Sequence, residues 1–145
     1  MPDGEGSLKY TETEEYKGSW QEGLAHGNGK LVSDMYLYEG LFRHGLFEGH
    51  GRLAINNKGT YEGAFSEGVF NGRGKFKWNL EGKVYVGSWK GGIMHGKGLM
   101  VWSDGRKFYG EYQRGAKHGQ GLCVFPSGES FKGIWYRGKL VQREG

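Results

Sequence analysis

Aromatic residues and glycines recur along this chain with a period of about 23 residues. Each unit opens with an aromatic residue, a glycine and a second aromatic residue at positions i, i+2 and i+4, as in Tyr61, Gly63 and Phe65. Successive side chains of an extended strand point to opposite faces, so this spacing places all three residues on one face. A helix would need apolar positions three and four apart, and the frequent glycines would destabilise it. The pattern therefore predicts strands.

A second apolar segment follows in each of the five complete units, after a Gly-x-Gly triplet. In the third unit Phe76 and Trp78 alternate with Lys75 and Lys77. This alternation predicts a second half-buried strand whose polar side chains point away from the apolar face. A glycine between the two segments, such as Gly68, supplies the positive φ that a tight reversal needs. Each unit is therefore predicted to be one β-hairpin.

The repeat organises the whole chain into one array, residues 1–145. The units begin at an aromatic residue every 22 to 24 positions, at Tyr16, Tyr38, Tyr61, Tyr85, Phe108 and Phe131. We divide the array into a half-repeat at 1–15, repeats at 16–37, 38–60, 61–84, 85–107 and 108–130, and a partial terminal repeat at 131–145. Natural caps and truncation of a longer array both explain the incomplete ends.

Hairpins joined end to end give an all-β fold, a single-layer twisted antiparallel meander that is elongated and grooved. No helix is predicted to cover its apolar face, although domains normally bury such a face against a second layer. We expect the rings to fold inward over the glycines and to leave a groove floored with glycine and walled with aromatic side chains. The candidate partner-binding residues of this groove are Tyr38, Phe42, Tyr61, Phe65, Trp78, Tyr85, Trp89, Trp102, Phe108 and Tyr112.

The shared pattern, aromatic-x-Gly-x-aromatic-x-x-Gly-x-x-His-Gly-x-Gly, is complete in YKGSWQEGLAHGNG from Tyr16 onward. It resembles the MORN repeat, the membrane occupation and recognition nexus motif, over about residues 16 to 140. The resemblance implies a scaffold or adaptor in cytoskeletal, ciliary or membrane-proximal assemblies. We expect a partner peptide or amphipathic helix to bind the groove, with the rings as anchors.

The charge balance changes this picture only slightly. The chain of 145 residues carries 20 Lys and Arg against 16 Asp and Glu. No basic run reaches the length of a nucleic-acid patch, so we expect no nucleic-acid partner. Two alternatives to peptide binding stay open: self-assembly as a homodimer through the terminal repeats, and peripheral binding of phosphoinositides or other acidic lipids. The lipid contacts would be Lys30, Arg52, Arg73, Lys75, Lys77 and Lys97.

The sequence contains few residues that could form a catalytic, metal or phosphate-binding site once those explained by the repeat are set aside. The segment 91–97 nearly spells a phosphate-binding loop, but Gly98 stands where the Mg²⁺-binding Ser or Thr is needed. His26 and His118 share a repeat position at which Asn71 and Glu48 also occur, so turn hydrogen bonds are favoured over a metal ladder. We therefore expect no enzyme activity, no catalytic residue, no metal and no cofactor.

The single cysteine, Cys123, lies in an apolar strand position and is expected to be a buried, inert thiol. One cysteine suits a reducing compartment. The N-terminus lacks the basic and apolar regions of a signal peptide, and no apolar run has the length of a membrane span. We therefore expect a cytoplasmic protein, associated with the cytoskeleton or a cilium or peripheral to a membrane.

Overall fold

The computed structural model describes residues 4–144, which form one antiparallel sheet of thirteen strands. Strand order in the sheet follows the order in the chain, so every strand pairs with the strands before and after it. The strands are β1 (Gly4–Lys9), β2 (Glu15–Gln21), β3 (Leu24–Val32), β4 (Tyr36–Arg43), β5 (Leu46–Ile55), β6 (Gly59–Ser66), β7 (Val69–Trp78), β8 (Val84–Lys90), β9 (Ile93–Val101), β10 (Lys107–Gln113), β11 (Ala116–Val124), β12 (Ser130–Tyr136) and β13 (Lys139–Glu144).

The all-β, single-layer meander predicted from the sequence is confirmed. Each predicted unit is one hairpin, from β2 and β3 through β12 and β13. The hairpin turns contain the expected glycines, and the residue before each of them also has a positive φ, as at Glu67 (49°) and Gly68 (87°). Two consecutive positive φ values are the signature of a type I′ turn, whose twist matches that of paired strands.

A row of glycines runs across the middle of the sheet. Gly63 pairs with Gly51 on one side and with Gly74 on the other, and Gly74 in turn pairs with Gly87. The same pairing continues from β1 to β12, through Gly6, Gly18, Gly29, Gly40, Gly51, Gly63, Gly74, Gly87, Gly98, Gly110, Gly121 and Gly133. This glycine row leaves a furrow of bare backbone across twelve strands.

Aromatic rings fill the furrow on one side of the sheet, which we call the aromatic face. The first ring of each repeat lies so close to the glycine row that a Cβ at Gly74 would overlap the Tyr61 ring, and one at Gly51 the Tyr38 ring. The inward folding predicted from the sequence is therefore confirmed. The first rings of five repeats have no solvent-exposed surface: Tyr16, Tyr38, Tyr61, Tyr85 and Phe108.

These first rings interlock with the second rings into one continuous array, the ring stack. Tyr61 packs against Phe65 of its own repeat at 5.0 Å and against Trp89 of the next repeat at 5.5 Å between ring centroids, both edge-on. Edge-to-face packing of this kind adds to the free energy of burial. The ring stack consists of Tyr16, Trp20, Tyr38, Phe42, Tyr61, Phe65, Tyr85, Trp89, Phe108, Tyr112 and Trp135.

Four of the first rings are also fixed by a hydrogen bond to the backbone. The pairing within each hairpin shifts register just after the glycine row, as between Gly63 and Phe65, so Ala64 has no partner in β7. The Tyr61 hydroxyl donates a 2.7 Å hydrogen bond to the Ala64 carbonyl, and Tyr38 does the same to Leu41 at 2.7 Å. Tyr16 and Tyr85 repeat the contact. The bulge thus exposes a carbonyl, and the ring above it satisfies that carbonyl.

Gly74→Ala tests the fit of ring and glycine. The new methyl overlaps Tyr61, which other rings hold in place, so we expect the free energy of unfolding to fall by about 3 kcal/mol. Gly128→Ala is the control, because Gly128 has a φ of 92° but no atom within 4 Å of its Cβ position. Its cost comes from the backbone alone, about 1 kcal/mol. Urea denaturation measures both, and equal losses would contradict the account.

Alkaline pH should destabilise the fold through the tyrosines of the ring stack. Burial raises the pKa of Tyr61 and of Tyr85 to about 12. Below pH 10 both tyrosines are neutral in the folded and the unfolded chain, so they confer no pH dependence there. Between pH 10 and 12 only the unfolded chain loses these protons, so stability should fall by about 1.4 kcal/mol per pH unit for each tyrosine.

Urea titrations between pH 8 and 11.5 measure this slope. Tyr61→Phe should reduce the slope, because phenylalanine has no hydroxyl to ionise. Tyr136→Phe is the matched control, since this side chain is 53% exposed and lies outside the ring stack, and it should leave the slope unchanged. A wild-type stability that stays flat to pH 11.5 would contradict the burial of these hydroxyl groups.

Candidate binding surfaces

The structure seals most of the groove that the sequence predicts. Of its ten residues, eight are buried in the ring stack: Tyr38, Phe42, Tyr61, Phe65, Tyr85, Trp89, Phe108 and Tyr112. The expectation that these rings form open walls is therefore wrong for the folded chain. Rings from the second strand of the hairpins fill the gaps between these residues. The ring centroids of Phe47 and Tyr38 are 3.8 Å apart, and so are those of Phe70 and Tyr61. Whether any of the ten residues contacts a partner stays a prediction.

Trp78 and Trp102, the two remaining groove residues, are only partly buried. They lie at the ends of the second strands, where Ile55 and Phe125 hold the equivalent positions of the neighbouring repeats. Phe125 is 40% exposed. These four residues, Ile55, Trp78, Trp102 and Phe125, form what we call the outer row of the aromatic face. The outer row is the part of that face that a partner can reach without disturbing the ring stack.

Cations lie over the two tryptophans of the outer row. The Lys83 Nζ is 4.8 Å from the Trp78 ring centroid, and the Lys117 Nζ is 4.9 Å from that of Trp102. The Arg106 guanidinium lies 5.4 Å from Trp102. Such cation–π contacts hold positive charge beside exposed apolar surface. Lys83 also pairs with Glu81 at 3.0 Å and Arg106 with Asp104 at 2.8 Å. The outer row therefore offers an apolar contact bordered by charged groups of both signs.

Lys117 holds an unusual place in the aromatic face. In the other hairpins the equivalent position carries an apolar residue, Phe47, Phe70 or Met94, facing the second ring. Lys117 instead faces Tyr112, and its ammonium also lies 4.8 Å from the Phe108 ring. Desolvation by burial lowers the pKa of Lys117. Sequence reasoning missed this residue, although the departure from the repeat pattern is visible in the sequence.

The six basic residues proposed for lipid contact share the other side of the sheet, which we call the opposite face. Each alternates with a residue of the aromatic face, and all are exposed: Lys30, Arg52, Arg73, Lys75, Lys77 and Lys97. Carboxylates interrupt them, since Glu39 pairs with Lys30 and with Arg52, and Glu62 with Arg52 and with Lys75. The Arg52 and Glu62 side chains approach to 3.9 Å.

Two adjoining depressions also lie on the opposite face. One of about 600 Å³ is lined by residues of five strands, β7 to β11, including Arg73, Val86 and Tyr109. Its neighbour, of about 380 Å³, includes Tyr109, Leu122 and Lys132. The sequence predicts a groove on the aromatic face, so these depressions lie on the other side of the sheet from the predicted one.

Glu48 and Asn71 replace the histidine of the repeat pattern in two repeats, and at both positions the predicted hydrogen bond to a hairpin turn is present. The Glu48 carboxylate accepts a 2.8 Å hydrogen bond from the Glu67 backbone N–H, and the Asn71 side-chain oxygen accepts one of 3.4 Å from Gly91. Each links one repeat to the turn of the next. At the histidines themselves the neighbours are rings: His26 lies 5.7 Å from His44, and His118 lies 5.8 Å from Tyr136.

Little else in the described residues has the geometry of a chemical site. Within residues 4–144, no group of three or more His, Cys, Asp or Glu side chains is arranged to hold a metal ion. The thiol of Cys123 is partly buried, and burial raises its pKa, which makes the reactive thiolate scarce. In the same range, no helix has the length and apolar character needed to cross a bilayer.

Comparison with known proteins places this architecture in a family. Among curated relatives, Alsin from Mus musculus and Alsin from Homo sapiens are each 35% identical to this chain over 91 residues, which is 62% of this chain and 4% of the relative. The chain thus spans a small fraction of the length of these relatives. The family profile described as MORN repeat matches residues 16–35, 38–60, 61–79, 85–105 and 108–130, well over half of the chain. MORN repeats are non-catalytic modules that bind proteins or membranes. The resemblance seen in the sequence is confirmed, and the chain belongs to the MORN repeat family.

Proposed function

We propose that this chain is a non-enzymatic scaffold that holds a partner peptide or amphipathic helix against its aromatic face. The observation that carries the proposal is the outer row, where Trp78 and Trp102 remain partly exposed while the ring stack is buried. Tryptophan is among the residues most often found at the energetic centre of protein interfaces. The two tryptophans of the outer row are therefore the favoured docking centre among the predicted groove residues.

The spacing of the two tryptophans in the outer row fits an α-helical partner. Trp78 ends β7 and Trp102 directly follows β9, two positions away in the sheet, which separates them by roughly 10 Å. Residues i and i+7 of a helix are about 10.5 Å apart along its axis. A helix lying across the strand ends thus presents one apolar side chain to each tryptophan. Lys117 favours a carboxylate beside one of those side chains, whereas Lys83 and Arg106 are already paired with Glu81 and Asp104.

The setting of this scaffold is part of the same proposal. Membership of the MORN repeat family supports cytoskeletal, ciliary or membrane-proximal assemblies in the cytoplasm as the place where such a module works.

Self-association is a further proposal for the chain ends, because β1 and β13 are the outermost of the described strands and each pairs on one side only. Light scattering across a concentration series separates monomer from homodimer.

Binding of acidic lipid is the second candidate function. It is favoured by the six exposed basic residues that share the opposite face, and each basic group close to an anionic membrane contributes about 1 kcal/mol. Glu39 and Glu62 oppose it, because they lie between those basic groups in the strand pairing. Peptide binding is the better supported of the two functions, since the outer row combines apolar surface with charge.

Replacement of both accessible tryptophans tests the scaffold function. Peptides selected from a displayed library against the folded chain should bind Trp78→Ala/Trp102→Ala at least about tenfold more weakly than the wild type, since both anchors are lost. Isothermal calorimetry measures the affinity, and thermal unfolding verifies that the variant is folded. Tyr136→Ala, which removes an exposed ring outside the outer row, is the matched control and should retain the affinity.

Selected peptides that bind the double variant and the wild type equally well would overturn the assignment of the outer row. Loss of affinity in Tyr136→Ala alone would place the site elsewhere on the chain and would equally contradict it.

A further inference from the structure

The middle row of the opposite face changes character halfway along the sheet. In the first strands the residues beside the glycine row are charged and pair across strands, as Glu39 with Arg52 and Glu62 with Lys75. From β8 onward the same row is apolar: Lys75 is followed by Val86, Leu99, Tyr109 and Leu122, each paired with the next. We call these four residues the apolar row. Lys132, paired with Leu122, restores charge at its end.

The fold does not need apolar residues in these places. The ring stack lies on the aromatic face, and the first repeats carry Lys17, Glu39 and Glu62 at the equivalent positions of the same sheet. Val86 and Tyr109 are 40% and 45% exposed, while Leu99 and Leu122 are partly buried. A contiguous exposed apolar patch in a row whose other residues are charged is typical of an interaction site.

The apolar row lies along the two adjoining depressions. Val86, Leu99 and Tyr109 line the depression of about 600 Å³, and Tyr109 and Leu122 line that of about 380 Å³. Four neighbouring strands span roughly 14 Å across the sheet. A helix of about ten residues has that length. The elongated shape of the combined depression therefore fits a rod that crosses the strands.

Basic side chains lie at both ends and along both long sides of the apolar row, interrupted by Ser88 on one side and by Val84 and Val101 on the other. Lys75 and Lys132 lie at its two ends in the strand pairing. Arg73 and Lys97, which lie two residues before Lys75 and Leu99, border one long side. Lys77 and Lys107 border the other side, two residues from Lys75 and Tyr109. The carboxylates at the border are Glu62, which pairs with Lys75, Glu111, which pairs with Lys97, and Glu144, which pairs with Lys132.

We propose that the apolar row docks an amphipathic helix whose single apolar stripe is bordered by carboxylates. The apolar stripe fills the depression, and the carboxylates meet the surrounding Lys and Arg side chains. A bilayer surface of acidic lipid shares the charge but fits less well, because a flat surface touches the rim of a depression and leaves its apolar floor uncovered. This site is separate from the outer row, so the chain would carry two docking surfaces, one on each face of the sheet.

The test uses two synthetic helices of about 14 residues with the same leucine stripe, one flanked by glutamates and one by lysines. Fluorescence anisotropy with the full chain should give binding of the glutamate peptide, weakened by salt because surface charges contribute. The lysine peptide should bind at least about tenfold more weakly. Phosphatidylcholine vesicles that contain phosphatidylserine form the third arm.

Two folded variants locate the site. Leu99→Thr/Leu122→Thr keeps β-forming residues in the strands and should weaken binding of the glutamate peptide by about tenfold or more. Leu37→Thr/Leu41→Thr makes the same chemical change on the opposite face of β4, outside the apolar row, and should not alter binding. Circular dichroism and thermal unfolding verify that both variants retain the fold.

Three results would overturn the proposal. The first is no binding of the glutamate peptide at about 1 mM, an affinity too weak for a specific site. The second is equal binding of the two peptides or of the two leucine variants. The third is vesicle binding that disappears in Leu99→Thr/Leu122→Thr while the glutamate peptide does not bind, which would identify a membrane as the occupant.

Discussion

The contact between aromatic rings and the glycine row is the interaction on which the rest of the structure depends. A single sheet has no second layer to bury its apolar side, and domains are normally built from two. Here the rings lie down in the furrow that the glycines leave, so the second layer is made of side chains from the same strands. Because Tyr61 touches the rings of its own and of the next repeat, each hairpin is stabilised by its neighbour.

This way of sealing one face limits which side chains are accessible to a partner. The rings of the core have little exposed surface, so both binding surfaces that we propose lie at positions that the repeat leaves variable. Trp78 and Trp102 occupy such positions at the strand ends, and Val86 and Tyr109 occupy others on the opposite face. Neither set repeats through the whole array. Both proposed surfaces thus arise from substitutions at positions that the repeat fold does not constrain.

The period of the sequence was sufficient to predict the strands, the hairpins, the turn glycines and the folding of rings over glycine, because all of these follow from local geometry. It did not show how completely the rings would bury one another on the aromatic face. Tyr38 is sealed by Phe42 and Phe47 and also by Phe65 of the next repeat, and such packing between repeats depends on side-chain volumes in three dimensions. The placing of Lys30, Arg52 and Lys75 on the opposite face is confirmed. The apolar row that Leu99 and Leu122 help to form on the same face was not predicted, although its residues depart from the repeat pattern in the sequence.

Hydroxyl-radical footprinting, read by mass spectrometry residue by residue, tests most directly whether the ring stack is buried. Tyrosine occurs both in the ring stack and on the surface, so one residue type reports on buried and exposed positions. Tyr16, Tyr38, Tyr61 and Tyr85 have no exposed surface, whereas Tyr10, Tyr109 and Tyr136 are 48%, 45% and 53% exposed. The account predicts that in the folded chain the first four tyrosines resist oxidation while the other three react, and that urea removes the difference. Oxidation of the ring-stack tyrosines at the rate of the exposed ones, in folded protein, would contradict it.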